Sequence, residues 1–544
     1  MTSSPIAIEL IRRQEKRATQ RSSWESRWQE TAELVVPHLA SFQGNKTLPP
    51  DRRTDRIFDS TAQLGISRFA AALESLLTPA SRKWHSLRPS EPSLQRNYNV
   101  RKYLEEATDI LFRARYAPRT GFAANTHEVY VALGAFGTGP LLIEDDVGRG
   151  LSYRALHLQE VYLSTGANGM LDGFDRRYCY SARQARQRFR ERTPAKVVEA
   201  LDKEPEKDFE FLHVVVPNDE HIPGALGRSG MAFKSFHIFP AEKELIGVGG
   251  YRTLPLVAPR YITAGYPYGI GPCQQVLAEI KTANEIRRTI LRQGQIAVDP
   301  PALLLAESAV LQPFNTRPGA TNHGMVSPEG KPLAIPYQTG ARFDVAYEEL
   351  NACRAMIKDA LLWSLFQFLE QDQKVQTATW VLERAKEKGI LLAPPMGRTQ
   401  HEGLGPTIGR ELDVISAAGV LPPMPGELAE AGGGIRVEYQ SDLAELQRAG
   451  EAAGLSRMLE VMIPIVQLKP EVLDVLDEDE TMRGVSDVSG VPMRYLRSPE
   501  AMAQLRQARQ QAQAEAQQAE MLPGQAAAER NFAMAEQTRA KVIH

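Results

Sequence analysis

The chain has 544 residues, 43% of them hydrophobic and 24% charged, with a formal net charge of −2. That length exceeds one ordinary core and predicts several structural regions, while the composition is that of a folded protein. The near-neutral balance excludes a protein that coats nucleic acid non-specifically, which needs an excess of Lys and Arg over phosphate, but not one that lets DNA slide past without gripping it.

The opening residues MTSSPIAIELIRRQEKR lack the apolar core of a signal peptide. No window reaches the roughly eighteen apolar residues a spanning helix needs, so a soluble, cytoplasmically made chain with no membrane partner is expected. Cys179, Cys273 and Cys353 are far apart and form no C-x-x-C pair, which predicts a reduced intracellular setting.

In chain order, residues 6–36 read as a charged helix carrying Leu10, Trp24, Trp28 and Val35, with both tryptophans on one face and Pro37 closing it. Asp59 or Ser60 then caps a helix whose Leu64, Phe69, Leu73, Leu76 and Leu77 form an apolar stripe ending at Thr78-Pro79. Tyr103, Leu104, Ala107, Ile110 and Leu111 predict a third helix, and Phe122 to Phe136 a fourth that runs into Gly137-Thr138-Gly139. From Leu141 the period becomes that of strands: LLIED, SYRALHL and EVYLS, an Asn168-Gly169 turn, then LDGFDRRYCYS. The basic helix RQARQRFRER and the runs EFLHVVV, FKSFHIF and TLPLVAP complete an α+β region with antiparallel strands.

Past GYPYGIGPC a helix is predicted from about Gln274 to Gln295, with Arg287, Arg288 and Arg292 near its C-terminal end. A second runs from about Val345 to Leu369, each about 30 to 40 Å long. Between them Pro300, Pro301, Pro313, Pro318, Pro328, Pro332 and Pro336 preclude a third helix. A helix from Thr377 stops at Pro394-Pro395. Another opens near Gly405-Pro406 and ends at Gly419, and Ile435, Val437 and Tyr439 mark a half-buried strand. That strand is expected to pair with the strands between Leu141 and Pro259. After Ser441-Asp442 the chain reads as helical, with Leu455, Met458, Leu459 and Met462 in step and the acidic run Asp477 to Glu480 interrupting it. The Gln- and Ala-rich end from Pro499 to His544 is helical by propensity but offers little to bury.

No constellation carries chemistry convincingly. Gly247, Gly249 and Gly250 suggest a phosphate loop, but no Walker pattern occurs, and Gly330-Lys331 is followed by Pro332 instead of a metal-binding hydroxyl. A plain turn is the preferred reading. Asp145-Asp146 and Asp172 with Asp175 are carboxylates of the kind nuclease metals use, yet they sit at apparent strand ends where turns are usual. Neither cofactor nor metal is expected. The basic helix Arg183 to Arg192 lacks interleaved aromatics beyond Phe189, so a solvated or subunit-contacting face is preferred to DNA contact. Trp24 and Trp28 are read as packing against a neighbouring helix, and Lys386 and Lys388 as paired with Glu383 or Glu387.

The chain resembles the portal, or head-to-tail connector, proteins of short-tailed double-stranded DNA bacteriophages. The likeness rests on an ordered series: Asp59-Ser60-Thr61 with the helix to LLTP and KWHSL, Phe136-Gly137-Thr138-Gly139 before LLIE, and Tyr268-Gly269 with Gly271-Pro272. Val298-Asp299-Pro300-Pro301, Thr377-Ala378-Thr379 with Val381 and Glu383-Arg384, Gly405-Pro406, Leu421-Pro422-Pro423, and Val437-Glu438-Tyr439 with Ser441 follow. Gly265-Tyr266-Pro267, Ala417-Ala418 and Asp442 depart from the family's pattern.

The resemblance implies an α+β, mainly helical subunit of a dodecameric ring with a central DNA channel. Residues 1–270 would form the wing, 271–298 and 344–369 the two stem helices, and 299–343 a proline-rich clip. Residues 370–440 would hold the tunnel loop and the return to the wing, and 441–544 the helical crown and tail. Gln371, Gln373, Lys374 and Gln376 become candidates for facing the channel, and Phe314, Asn315, Arg317 and Lys331 for touching the terminase or tail. The implied partners are passing double-stranded DNA, the terminase large subunit, major capsid and scaffolding proteins, and a tail adaptor. The expected location is the capsid vertex of the virion, after assembly in the host cytoplasm. The alternatives are a tail adaptor or scaffold-binding connector without its own channel, and an enzymatic motor subunit, which fails for want of a Walker loop.

Overall fold

The computed structural model describes residues 4–42, 54–146, 150–298, 302–304, 321, 326–332, 334–336, 343–363, 396–440, 458, 477–488, 491 and 493–541. The chain divides into two compact units, one made of residues 1–83 and 111–420, the other of residues 84–110 and 421–544.

In chain order the elements are α1 (Pro5–Val35), α2 (Thr61–Leu77), β1 (His85–Pro89), α3 (Tyr98–Arg115), α4 (Phe122–Phe136), β2 (Leu141–Asp146), β3 (Gly150–Ala155), β4 (Val161–Thr165) and β5 (Leu171–Ser181). Then come α5 (Ala182–Phe189), α6 (Ala195–Lys203), β6 (Asp208–Pro217), β7 (Phe233–Phe239), β8 (Glu244–Tyr251), β9 (Leu256–Val257), α7 (Pro272–Gln275) and α8 (Leu277–Val298). The short strands β10 (Ala302–Leu304) and β11 (Ala334–Pro336) precede α9 (Phe343–Ala360), α10 (Gly405–Ala417), α11 (Gly426–Glu430), β12 (Ile435–Tyr439), α12 (Glu478–Val488) and α13 (Pro499–Lys541). Helix and sheet are mixed and helix predominates.

The first unit holds an antiparallel five-stranded sheet in the order β4-β5-β6-β7-β8 and a three-stranded sheet in the order β3-β2-β9. Along β6, successive side chains point to opposite faces. Phe211 joins Tyr178, Ala182, Ala185, Val197 and Phe239 under α5 and α6, while Leu212 and Val214 pack with Ala7 and Leu10 of α1. With both faces covered, β6 reads as a continuous apolar run. Ser181 turns the chain from β5 into α5 through a capping box, its hydroxyl accepting from Gln184 N at 3.4 Å. Gly247, Gly249 and Gly250 lie in β8, in register with His237, Ser235 and Lys234, so the stretch is a sheet strand and neither a phosphate loop nor a turn. Leu64 is 59% exposed and stands outside the apolar stripe of α2, whose buried face is Ala62, Ile66, Phe69, Ala70, Leu73 and Leu77.

Two helices end or begin differently from the sequence expectation. Helix α9 stops at Ala360, because Leu361 turns in to fill the space above Gly65 and Leu362 adopts a φ of 58°. The periodic apolar pattern hides this stop, since the turn is imposed by a distant helix. Residues 396–399 are already helical and lead through a wide turn at Gln400–Leu404 into α10. Pro406 has no N–H to return to the preceding turn, and the π-type widening absorbs that loss inside a continuing helix. Gly419, at φ 68°, closes α10 as expected.

The second unit contains the main correction. β12 pairs with β1 and not with any strand between Leu141 and Pro259, in the register His85↔Tyr439, Leu87↔Val437 and Pro89↔Ile435. The KWHSL stretch therefore ends in a strand that its length and flanking Pro89 conceal. Arg88 Nε donates to Glu438 at 2.9 Å across the ribbon, and Thr108 of α3 accepts from Leu87 N at 3.2 Å. Asn97 caps α3 by accepting from Asn99 N and Val100 N. The acidic run opens α12, with Asp477 accepting from Glu480 N at 3.0 Å and the carboxylates complementing the helix dipole, and the stretch 459–476 before it lies outside the described residues.

Candidate functional site

The best-defined assembly of unusual residues in the first unit is a crossing of two glycine-rich segments at the root of α8. Gly137 ends α4 with a φ of 74°, and a Cβ there would lie 2.4 Å from Gly271 N and the Ile270 carbonyl carbon. A Cβ on Gly269 would fall 2.2 Å from Gly137 O, and one on Gly139 2.4 Å from Val129 O. The backbones thus touch directly, which only glycine permits. Tyr261 N donates to Gly137 O at 2.9 Å, and Gly269 N to Thr138 Oγ1 at 2.8 Å. Gly271 N then donates to Gln274 Oε1 at 3.1 Å, so the crossing feeds straight into α7 and α8. Beside it Tyr268 packs edge-on against Trp28 at 5.0 Å and accepts from Leu163 N at 3.2 Å, while Trp24 meets Tyr266 at 5.8 Å. The two tryptophans pack as expected, although against this loop and Phe42 instead of one neighbouring helix. Burial pushes the Cys273 thiol up to about 12, an inert packed group.

Buried arginines hold the surroundings. Arg115 and Glu411 are both fully buried and form a bidentate pair at 2.9 and 2.5 Å, with Tyr153 Oη donating to the same carboxylate at 2.5 Å. Burial alone would lower the Arg115 pKa, but Glu411 more than offsets it and holds the guanidinium above its ordinary range. Burial, followed by the charge of Glu411, pushes the Tyr153 phenol well up. Arg260 grips Glu402 at 2.8 and 3.0 Å and Gly169 O at 2.9 Å. Arg21 donates to the carbonyls of Leu158, Gln159 and Val161 and lies 3.6 Å above the Tyr162 ring. Glu402 and Glu411 come from one helical stretch around the wide turn, so that segment clamps the crossing and the three-stranded sheet.

Helices α8 and α9 pack on each other, with Ile280, Ala283 and Ile290 buried on the first and Leu350, Cys353 and Ile357 on the second. Both are tied to the residues before α2. Asn284 Oδ1 accepts from Phe58 N at 2.7 Å and Asp59 N at 3.2 Å, and Arg354 donates to Asp59 at 2.8 and 2.5 Å. Burial works to raise the Asp59 carboxyl, but hydrogen bonds from Thr61 and Arg354 win and hold it below the usual range. The C-terminal end of α8 and the N-terminal end of α9 flank a groove of about 930 Å³ lined by Arg287, Arg292, Val298, Phe343 and Tyr347.

Of the sequence-predicted site residues, Gln371, Gln373, Lys374 and Gln376 lie outside the described residues, as do Phe314, Asn315, Arg317 and the lysines at 386 and 388. Lys331 is exposed in a tight turn, 3.7 Å from Glu329. Among the described residues no group of acidic, His or Cys side chains could hold a metal. Asp175 is mid-strand, buried and paired with Arg17 at 2.6 Å, and Asp172 accepts from Ser164. In the basic helix Arg183 pairs with Glu206 and Arg188 with Glu144. Sequence reasoning missed Arg115, Glu411, Arg260, Glu402, Asn284 and Arg354. The signal available was a charged residue inside an apolar helical pattern, as at Glu411 in RELDVI.

The family model for bacteriophage head to tail connecting protein matches residues 7–496. The chain is 26% identical over 522 residues to the probable portal protein of Bordetella phage BPP-1, covering 94% of this chain and 93% of that protein. It is 24% identical over 527 residues to the portal protein of Salmonella phage epsilon15, covering 96% and 94%. Among solved structures, chains from the neck of a native gene transfer agent particle computed with C12 symmetry (13% identity, TM-score 0.36, 78% of this chain and 94% of that one) and from the neck of an empty particle computed with C6 symmetry (13%, 0.35, 74% and 88%) are similar.

Proposed function

The chain belongs to the bacteriophage head to tail connecting protein family, and from that premise we propose that it is the portal subunit of a phage virion. In this reading copies of the chain close into a dodecameric ring at one capsid vertex. A separate ATP-driven terminase packages double-stranded DNA through the ring, the tail attaches to it, and the genome leaves by the same route. The observation that carries the reading is a family match over residues 7–496, with a portal protein and a probable portal protein of two phages similar over 96% and 94% of the chain.

The role asks for a rigid subunit and no chemistry. A heterologous interface that closes by rotation makes a ring, and rigid helices are suited to lining a tunnel. The ties of α8 and α9 to Asp59 support placing the stem there. The hairpin β10-β11 with Lys331 would then belong to the clip that faces terminase and later the tail, and α12 and α13 to the crown. Scaffolding and major capsid proteins would contact the ring during assembly in the host cytoplasm. Gln371, Gln373, Lys374 and Gln376 would face the channel as a constriction that checks backward slip.

Electron microscopy of the purified protein tests the reading. Closed rings with an axial hole wide enough for duplex DNA are expected, and monomers at every concentration overturn it. Deleting Gln371 to Lys374 should shorten or destabilise packaged DNA; unchanged packaged length and retention would remove the constriction from the proposal.

A further inference from the structure

The outward faces of α8 and α9 carry opposite charges. On α8, Lys281, Glu285, Arg288, Arg292 and Gln295 recur at steps of three and four on the side away from buried Ile280, Ala283 and Ile290. On α9, Asp344, Glu348, Asn351, Ala355 and Asp359 do the same, away from buried Leu350, Cys353 and Ile357. Lys281 pairs with Glu30, and Arg288 pairs with Glu285 at 3.3 Å. Arg292 and Glu348 are exposed and have no ion-pair partner among the described residues. Exposed apolar residues flank both stripes, with Leu291 42% accessible on α8 and Val345 51% and Met356 48% accessible on α9.

The two unpartnered charges lie within about 3 Å of one height. Asn284 and Arg354 both bind Asp59, which fixes one level, and Val298 and Phe343 both line the groove at the other end. Arg292 lies eight residues beyond Asn284 and Glu348 six before Arg354, about 12 and about 9 Å along antiparallel axes. Because each points away from the seam between the helices, they do not meet within one chain. Rotation about an axis parallel to the pair leaves heights unchanged, so a copy related by that rotation brings its α9 stripe opposite this α8 stripe at the matching level.

We infer that the outer face of α8, through Arg288 and Arg292, docks on the Glu348 face of α9 in the adjacent copy of this chain. The inference rests on the ring reading and names the contact that selects its neighbour. Like charges placed opposite each other oppose assembly, whereas the complementary stripes fix register.

The test uses the full chain with Glu348→Arg, Arg292→Glu and the two combined. Each single reversal should raise the concentration needed for rings at least about tenfold, and the double exchange should return it to within about threefold of the parent. Melting temperatures serve as the folding control. Should a reversal misfold, the milder Glu348→Gln and the loosening of parental rings at about 1 M salt give the same reading. Rings from the parent that ignore both single reversals and salt overturn the inference and leave the ring reading standing. So does a double exchange that fails to restore rings, or single variants with intact rings but altered packaged DNA, which would assign the α9 stripe to the passing duplex. A parent that never forms rings overturns both.

Discussion

Helices α8 and α13 are both long, and opposite things fix them. The 22 residues of α8 follow a glycine crossing with no room for a side chain, bury Ile280, Ala283 and Ile290, pack on α9, and are tied through Asn284 to the backbone before α2. The 43 residues of α13 are helical by propensity: Gln, Ala, Glu and Arg dominate, and Leu505, Phe532 and Met534 are 38%, 80% and 70% exposed. Its Arg506 reaches Asp479 of α12 at 2.7 Å, a surface ion pair that contributes at most about 1 kcal/mol. Tertiary contact therefore positions α8 in the subunit, whereas local preference accounts for most of α13 and runs against it only at the interior Pro523-Gly524. The first should break through single residues and the second should not.

The largest expected effect is at the crossing. Gly137→Val would drive a branched side chain into the backbone of Gly269 to Gly271 at a φ of 74°, and a loss above about 4 kcal/mol is expected, read as loss of soluble folded protein. A melting temperature close to the parent's would place the rigidity of α8 elsewhere. Next is Glu411→Ala, which strands the fully buried Arg115 and should cost about 3 to 5 kcal/mol in denaturant unfolding. Replacing both partners, Arg115→Met with Glu411→Leu, should recover most of that loss, because no buried charge is then left unpaired.

A smaller effect is expected from pH. His213 and His237 face each other in register on β6 and β7, with rings stacked 4.1 Å apart and His213 Nε2 2.9 Å from Ser235 Oγ. Burial first, then the cations Arg176 and Arg188, lowers His237 to about 4; burial and His237 push His213 well below its ordinary value. Since the unfolded chain takes up these protons near pH 6.5 and the folded chain does not, stability is complete above that pH. It should fall by about 3 kcal/mol through His237 as pH drops from 6.5 to 4. Denaturant midpoints across that window check it, and His237→Phe should flatten the slope. The five-stranded sheet should weaken while α13, which holds no histidine, keeps its helicity.

Much of the tertiary frame was legible where local chemistry and tertiary need coincide. The bounds of α4, the Asn168-Gly169 turn, the end of α10 at Gly419 and the glycine motifs at 136–139 and 269–271 all follow from residues that only one conformation suits. What those motifs do to each other was not legible, because two backbones far apart in sequence meet only in the fold. The same holds for the buried ion pairs: Arg115 and Glu411 look like ordinary surface charges until burial shows otherwise. The strand β1 and the stop of α9 at Ala360 were missed because β12 and Gly65, their partners, lie hundreds of residues away. Legibility therefore follows the comparison above, with α13 readable from composition alone and the surroundings of α8 readable only in part.

The smallest expected effect is the most informative about α13. Phe532 is 80% exposed, so Phe532→Ser should change the stability of the isolated chain by less than about 0.5 kcal/mol. An aromatic left in water on a helix with little else to bury has no role in the single subunit's fold, and a change in ring yield without a change in subunit melting would assign it to contact with another copy. If instead the subunit's melting temperature falls by several degrees, Phe532 is already held within the chain, α13 is positioned as α8 is, and the contrast between the two helices fails.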